Sequence, residues 1–207
     1  MKSFNQFISE SSKQLKFYVD MDGVLADFDK QIDKSIVGDK VKEIVEQVKA
    51  WMDVNYPTRE WRSLHDISDL IEKHEDFANL YNEATTLIKG EARKSGFFRN
   101  LEVMEGAMDI INATIEVSGQ LPTILTACIG SPYCEAEKAE WLKEHFSGMY
   151  QDVIFEQEKE KYANEYSVLV DDREKNVEDF NNAGGKSVHV YDNDPVSTVK
   201  LIKEFKV

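Results

Sequence analysis

The chain predicts an α/β fold, a parallel sheet flanked by helices with a helical cap inserted near its start. Five short apolar runs, rich in β-branched and aromatic residues, read as strands at 16–20, 122–126, 152–156, 166–171 and 187–191. Helical patterns separate most of them, and strand–helix alternation implies a parallel sheet covered on both faces. The exception is the stretch between the first two runs, where residues 30–96 read as helical throughout.

The elements follow in order. Phe4, Phe7 and Ile8 give the first residues an amphipathic face, an arm predicted over 1–12. The run Phe17-Tyr18-Val19 then ends in Asp20-Met21-Asp22-Gly23. Within 30–96, Val41, Ile44, Val45, Val48, Trp51 and Met52 recur at helix spacing. Ile67, Leu70 and Ile71 repeat the pattern, as do Phe77, Leu80, Tyr81, Ala84 and Leu87, with Pro57 and Gly90 as punctuation. Trp51 and Met52 fit a bundle core better than a pocket. This is too long for a crossover connection, so 30–96 is read as a cap, and 13–29 with 97–207 as the core. Ala107, Ile110, Ile111 and Ile115 mark a helix stopped by Gly119. Ser131-Pro132 precedes a helix over 134–146, and Asp194-Pro195 can start the last one.

Composition narrows the function. Of 207 residues, 39 are acidic and 25 basic, a net charge of −14. That argues against a nucleic-acid polymer as partner, although one phosphate can be neutralised locally by a metal and a few lysines. There is no apolar stretch of transmembrane length, so no membrane partner is expected. Cys128 and Cys134 match no zinc or C-x-x-C spacing and are read as free thiols in a reducing, cytoplasmic setting. No P-loop or dinucleotide glycine fingerprint is present.

The acids carry the chemistry. Residues two apart on a strand share a face, so Asp20 and Asp22 can aim at one ligand at the carboxyl end of the first strand. Open α/β sheets bind their ligands there. Crowded carboxylates need a cation or a shared proton, and Mg²⁺ suits an all-oxygen site. Val168-Leu169-Val170-Asp171-Asp172-Arg173 repeats the arrangement far along the chain.

The words Phe17-Tyr18-Val19-Asp20-Met21-Asp22-Gly23-Val24-Leu25-Ala26-Asp27-Phe28 resemble motif I of the haloacid dehalogenase superfamily of phosphohydrolases. Within it they are most similar to the 5'(3')-deoxyribonucleotidases. The resemblance implies a Rossmann-like core with a helical cap after motif I. It implies Asp20 as nucleophile, forming an aspartyl-phosphate, and Asp22 as general acid–base, whose backbone carbonyl also binds Mg²⁺. Ile124-Leu125-Thr126-Ala127 resembles motif II, with the Thr126 hydroxyl and the Ala127 N–H as donors to the phosphoryl group. Two lysines match family positions: Lys138 on the helix after motif II, and Lys161, ten residues before Asp171. Of these Lys161 is the preferred catalytic cation. Asp171-Asp172 resembles motif IV, which completes the metal ligands, and either acid could touch the ion. Arg173 or Asn176 could support that loop or simply open a helix.

Ser95-Gly96-Phe97-Phe98-Arg99-Asn100-Leu101 with Glu105-Gly106-Ala107 resembles the nucleotidase pattern G-F-F-x-x-L followed by P-G-A, with Glu105 where proline is usual. The resemblance implies a nucleobase held by Phe28 and by Phe97 or Phe98; the same rings could instead pack the cap. The implied substrate is a nucleoside monophosphate, cleaved to nucleoside and phosphate. Met1–Glu10 resembles the N-terminal segment of T4-like phage proteins, in which Ile8-Ser9-Glu10 is similar to a prohead protease site; a short amphipathic arm is the alternative. The sequence leaves base preference, 5' versus 3' phosphate and oligomeric state open.

Overall fold

A five-stranded parallel sheet organises the chain, in the order β5 (Asp152–Phe155), β4 (Thr123–Thr126), β1 (Lys16–Val19), β6 (Ser167–Asp171), β7 (Lys186–His189). The computed structural model describes residues 14–205 except 60, 62, 129, 192 and 193. The predicted arm and the Ile8-Ser9-Glu10 segment lie outside the described residues. β4 and β6 are buried along their whole length, and their continuous apolar character follows from having both faces covered.

Two compact units are present. The sheet unit runs up to Ala26, then Val103–Ala127, then from Lys143 onward. It holds α4 (Ala107–Ser118), α6 (Glu174–Asn182) and α7 (Pro195–Glu204). Gly119 ends α4 as expected, in the left-handed region at φ 68, its N–H bonded to Ile115 O. Asp194 caps α7 by accepting the Ser197 N–H, with Pro195 in the first turn. α6 was not foreseen beyond its first residues, because this short charged segment buries only Phe180.

The helical unit comprises Asp27–Glu102 and Cys128–Leu142. The chain enters it along β2 (Ala26–Asp27) and first leaves it along β3 (Glu102–Val103). Its helices are α1 (Phe28–Asp33), α2 (Gly38–Asn55), α3 (Glu75–Ala92) and most of α5 (Cys134–Phe146), with a 3-10 turn over Leu64–Leu70. Ile44, Val48, Met52, Leu64, Ile67, Leu70, Phe77 and Ala84 form its core, with Trp51 packed against it. Each large apolar side chain there contributes about 1.5–3 kcal/mol on burial. Gly90 does not end a helix; it lies inside α3, at a place where an added Cβ would meet nothing within 4 Å. An exposed helix interior tolerates glycine at a cost of about 1 kcal/mol.

Candidate active site

Strand register brings the acids together. Val19 pairs with Ile124 on one side and Val170 on the other. Asp20 and Asp171 therefore emerge side by side at the carboxyl edge of the sheet, and Thr126 ends the neighbouring strand. The Asp20 N–H donates to Val170 O at 2.9 Å, which fixes the backbone where the strand ends. Beyond it the chain turns tightly: Ala26 N–H donates to Met21 O at 2.9 Å, and Asp22 bridges to Ala26. Gly23 sits in this turn at φ 73, and a Cβ there would lie 2.3 Å from Asp172 Oδ2. Glycine thus meets two needs at once, the left-handed backbone and the approach of the Asp172 carboxylate.

The cation in this cluster is Lys159. Its ammonium lies 2.9 Å from Asp20 Oδ1 and 2.6 Å from Asp171 Oδ2, and its side chain is 2% exposed. Burial alone would lower its pKa; the charges of Asp20 and Asp171 outweigh burial and hold it raised. Lys161, the lysine expected here, is 52% exposed and pairs with Glu156 and Glu158. The correction has a conformational cause. After β5 the chain forms a 3-10 turn over Lys159–Tyr162, and this turn sends the two lysines to different environments. Their spacing from Asp171 does not reveal it. The only signal available was a second lysine in the same charged run.

The two acids of the fourth motif differ in their hydrogen bonding. Asp171 Oδ1 accepts from Arg173 N–H at 3.0 Å and Asn176 Nδ2 at 2.9 Å, and its Oδ2 accepts from Lys159. Arg173 also serves as the N-cap of α6, so it both supports the loop and opens the helix. Asp172 Oδ1, in contrast, is shut off from solvent and has no hydrogen-bond partner among the described residues. The His189 Nε2–H, which no sequence signal singled out, donates to Asp172 O at 2.8 Å and fixes this backbone from β7. Burial, followed by the charges of Asp171 and Asp20, raises the Asp172 pKa well above the carboxylate range. Asp171 is raised by burial and by Asp20, against the opposing pull of Lys159.

Oxygens of Asp20, Asp171 and Asp172 lie within 4.8 Å of one another. Two buried carboxylates, Asp20 and Asp171, thus share one ammonium, and the half-buried Asp172 beside them has one oxygen with no hydrogen-bond partner among the described residues. A desolvated set of this kind fits a hard divalent cation, which would favour the charged form of each acid. Asp22 lies outside this carboxylate group, half-buried in the turn after Asp20. Thr126 is fully buried at the end of β4, and Ala127 follows it, half-buried.

The remaining residues lie in the helical unit. Phe28 packs on Phe97 at 5.2 Å between ring centroids and on Phe98 at 6.4 Å. Phe97 and Phe98 are 5% and 1% exposed, whereas Phe28 is half-buried. Lys138 is buried, its ammonium 5.1 Å from the centroid of the Phe98 ring. The cysteines are not free: Cys128 and Cys134 form a disulfide. Between them Gly130 has φ 55, and Ser131 Oγ accepts the Tyr133 N–H.

Comparison with known proteins agrees with this architecture. A hydrolase of the haloacid dehalogenase superfamily from Ehrlichia chaffeensis has a similar fold, with TM-score 0.52, 14% identity, and 93% of this chain and 98% of that one covered. A hydrolase from Streptococcus pneumoniae TIGR4 matches with TM-score 0.46 and 14% identity over 93% of this chain and all of that one, 100%. Direct comparison with curated protein sequences finds no match. Among the described residues no helix is long and apolar enough to cross a membrane. The family model described as 5' nucleotidase, deoxy (pyrimidine), cytosolic type C protein matches residues 14–194. That span takes in both acid-tipped strands and the helical unit between them, and the chain belongs to this family of phosphoric monoester hydrolases with a Rossmann-like, haloacid dehalogenase fold.

Proposed function

We propose that the protein hydrolyses deoxyribonucleoside monophosphates to nucleoside and phosphate, with Mg²⁺ held by Asp20, Asp172 and the backbone carbonyl of Asp22. The observation that carries this reading is the gathering of Asp20, Asp171 and Asp172 oxygens at the strand ends, with Lys159 buried between Asp20 and Asp171 and one Asp172 oxygen without a hydrogen-bond partner among the described residues. Asp171 binds less directly, because its two oxygens already accept from Lys159, Arg173 and Asn176. A bound Mg²⁺ would offset the carboxylate charge and polarise the phosphoryl group.

Asp20 attacks phosphorus, forming an aspartyl-phosphate as the ester oxygen leaves. Asp22 donates its proton to that leaving alkoxide. It then takes a proton from water, which attacks the phosphorus, releases phosphate and restores the Asp20 carboxylate. The Thr126 hydroxyl and the Ala127 N–H hold phosphoryl oxygens, and Lys159 offsets the charge that develops on them. Phe28 offers a face for the base, stacking being worth about 1–3 kcal/mol per base; Phe97 and Phe98 pack on it, and the Lys138 ammonium lies by the Phe98 ring.

The test is phosphate release from ribo- and deoxyribonucleoside 5'- and 3'-monophosphates and from sugar phosphates, with Mg²⁺ and with chelator. Metal-dependent release concentrated on deoxynucleotides is expected. Release concentrated on sugar phosphates would discard the nucleotide assignment while keeping the chemistry. Asp20→Asn should leave a folded protein with turnover reduced by about a thousandfold or more; unchanged turnover would discard the nucleophile.

A further inference from the structure

Glu137 is a buried carboxylate on α5, and its two oxygens go to the backbone of another segment. Oε1 accepts the Gly96 N–H at 2.5 Å and Oε2 accepts the Phe98 N–H at 3.1 Å. One helical turn further along α5, the indole N–H of Trp141 donates to Leu101 O at 2.8 Å. Residues four apart lie on one face of a helix, so α5 grips both ends of the segment from Gly96 to Leu101. The segment is also closed on itself: Asn100 Nδ2 donates to Gly96 O at 2.7 Å, and Gly96 has φ 85.

This grip bears on the aromatic cluster. Glu137 binds the N–H groups on either side of Phe97, so it holds the backbone from which Phe97 and Phe98 project. The two rings meet edge to face at 5.1 Å, and Phe28 rests on both. The disulfide at Cys134 pins the start of α5 one turn before Glu137. A desolvated carboxylate is costly unless every lone pair is well used. Here two charge-assisted bonds to backbone amides supply that use, and they are the stronger class of hydrogen bond.

We propose that Glu137 is a positioning residue for nucleoside selection: it holds the segment of Phe97 and Phe98, and through them the half-buried Phe28 that packs on both. This rests on the nucleotidase reading above. Glu137 is not expected to touch substrate, so its effect should fall on recognition of the nucleoside and not on phosphoryl chemistry.

The experiment measures kcat and KM for a deoxyribonucleoside monophosphate and for p-nitrophenyl phosphate, which carries no nucleoside, in wild type, Glu137→Gln and Trp141→Phe. Glutamine keeps the shape but sets an amide NH₂ against a backbone N–H. The expected result for Glu137→Gln is a loss of about tenfold or more in kcat/KM for the nucleotide, mainly through KM, with both constants for p-nitrophenyl phosphate unchanged. Trp141→Phe keeps the packing and loses one donor, so the same pattern should appear at smaller size. Equal losses on both substrates, or no loss on either, overturn the positioning role. Should Glu137→Gln fail to fold by thermal melt, Trp141→Phe decides by the same split. A wild type that cleaves p-nitrophenyl phosphate with no preference for nucleotides overturns the nucleotidase reading itself, and this is seen before any variant is compared.

Discussion

Two lysine–carboxylate clusters use the same chemical groups and differ in their access to water. At the carboxyl edge of the sheet, Lys159 is buried between Asp20 and Asp171. In the helical unit, Lys30 and Lys34 reach Glu102 from α1 and from the residue that follows it, all three about half exposed. Exposed pairs of this kind contribute little, because water and salt screen them. Removing one partner from a buried pair strands the other charge and costs about 3–5 kcal/mol. The difference teaches that contact distance alone does not rank a charge cluster. Burial does, and the buried cluster is the one at the end of the strands, where ligands of open sheets bind.

The comparison can be broken most directly at the two lysines. Lys159→Met should lower kcat by about a hundredfold or more and destabilise the fold by about 3–5 kcal/mol. Lys161→Met should leave both the rate and the melting temperature near wild type. Steady-state rates and thermal melts on the pair settle it, and the reverse pattern would return the catalytic role to Lys161.

Gly23→Ala sharpens the same cluster without removing a charge. The new methyl group would meet Asp172 Oδ2 at 2.3 Å from a backbone at φ 73. The carboxylate must move, so Mg²⁺ affinity by calorimetric titration should fall about tenfold or more. An unchanged affinity would show that Asp172 does not need this position to bind metal.

Acidity gives a third test, with opposite signs at the two clusters. Asp172 has a raised folded pKa, so between the ordinary carboxylate range and that higher value the folded state binds more protons than the unfolded. Stability of the metal-free protein should therefore fall as pH rises through this window. Mg²⁺ binds the ionised acid, so its stabilisation, about 2.7 kcal/mol at a hundredfold excess over Kd, should be larger at pH 7 than at pH 5. Thermal melts with and without Mg²⁺ at both pH values measure it, and an equal Mg²⁺ effect at both would count against the buried acids as the site.

The smallest effect belongs to Glu102. The hydrogen bonds from Lys30 and Lys34 hold its carboxyl at about 2, so any stability it confers is present above its ordinary value and fades as pH falls toward 2. Glu102→Gln should leave the melting temperature at neutral pH close to wild type in about 0.15 M salt. A large drop would mean that this exposed cluster is coupled to more than its own ion pairs.

Much of the sheet and its acids was legible because strand signals are local. A short β-branched run ending in Asp, found twice, places Asp20 and Asp171 at the same edge once the strands are parallel. Helix boundaries with a specific cap, such as Asp194-Pro195 and Gly119, were legible for the same reason. Gly90 misled because glycine in an exposed helix interior costs little, and α6 was missed because its one buried residue leaves no period to read. The disulfide was missed because pairing depends on how closely the folded backbone brings Cys128 and Cys134, and spacing alone does not report that.

The five strands, the acids at the tips of two of them and the family to which they point are legible from the chain alone, since each is written in contiguous residues. Folding in three dimensions settles which lysine joins the acids, which acid of the pair keeps an open oxygen, and that Glu137 grips the Phe97–Phe98 segment. Those outcomes depend on the direction a side chain takes when its segment packs against residues distant in the chain: Lys159 meets Asp20 across more than a hundred positions, and Glu137 meets Gly96 across 41. Local propensity fixes where an element begins and ends. Desolvation and hydrogen-bond satisfaction, which exist only after packing, fix what its side chains can do.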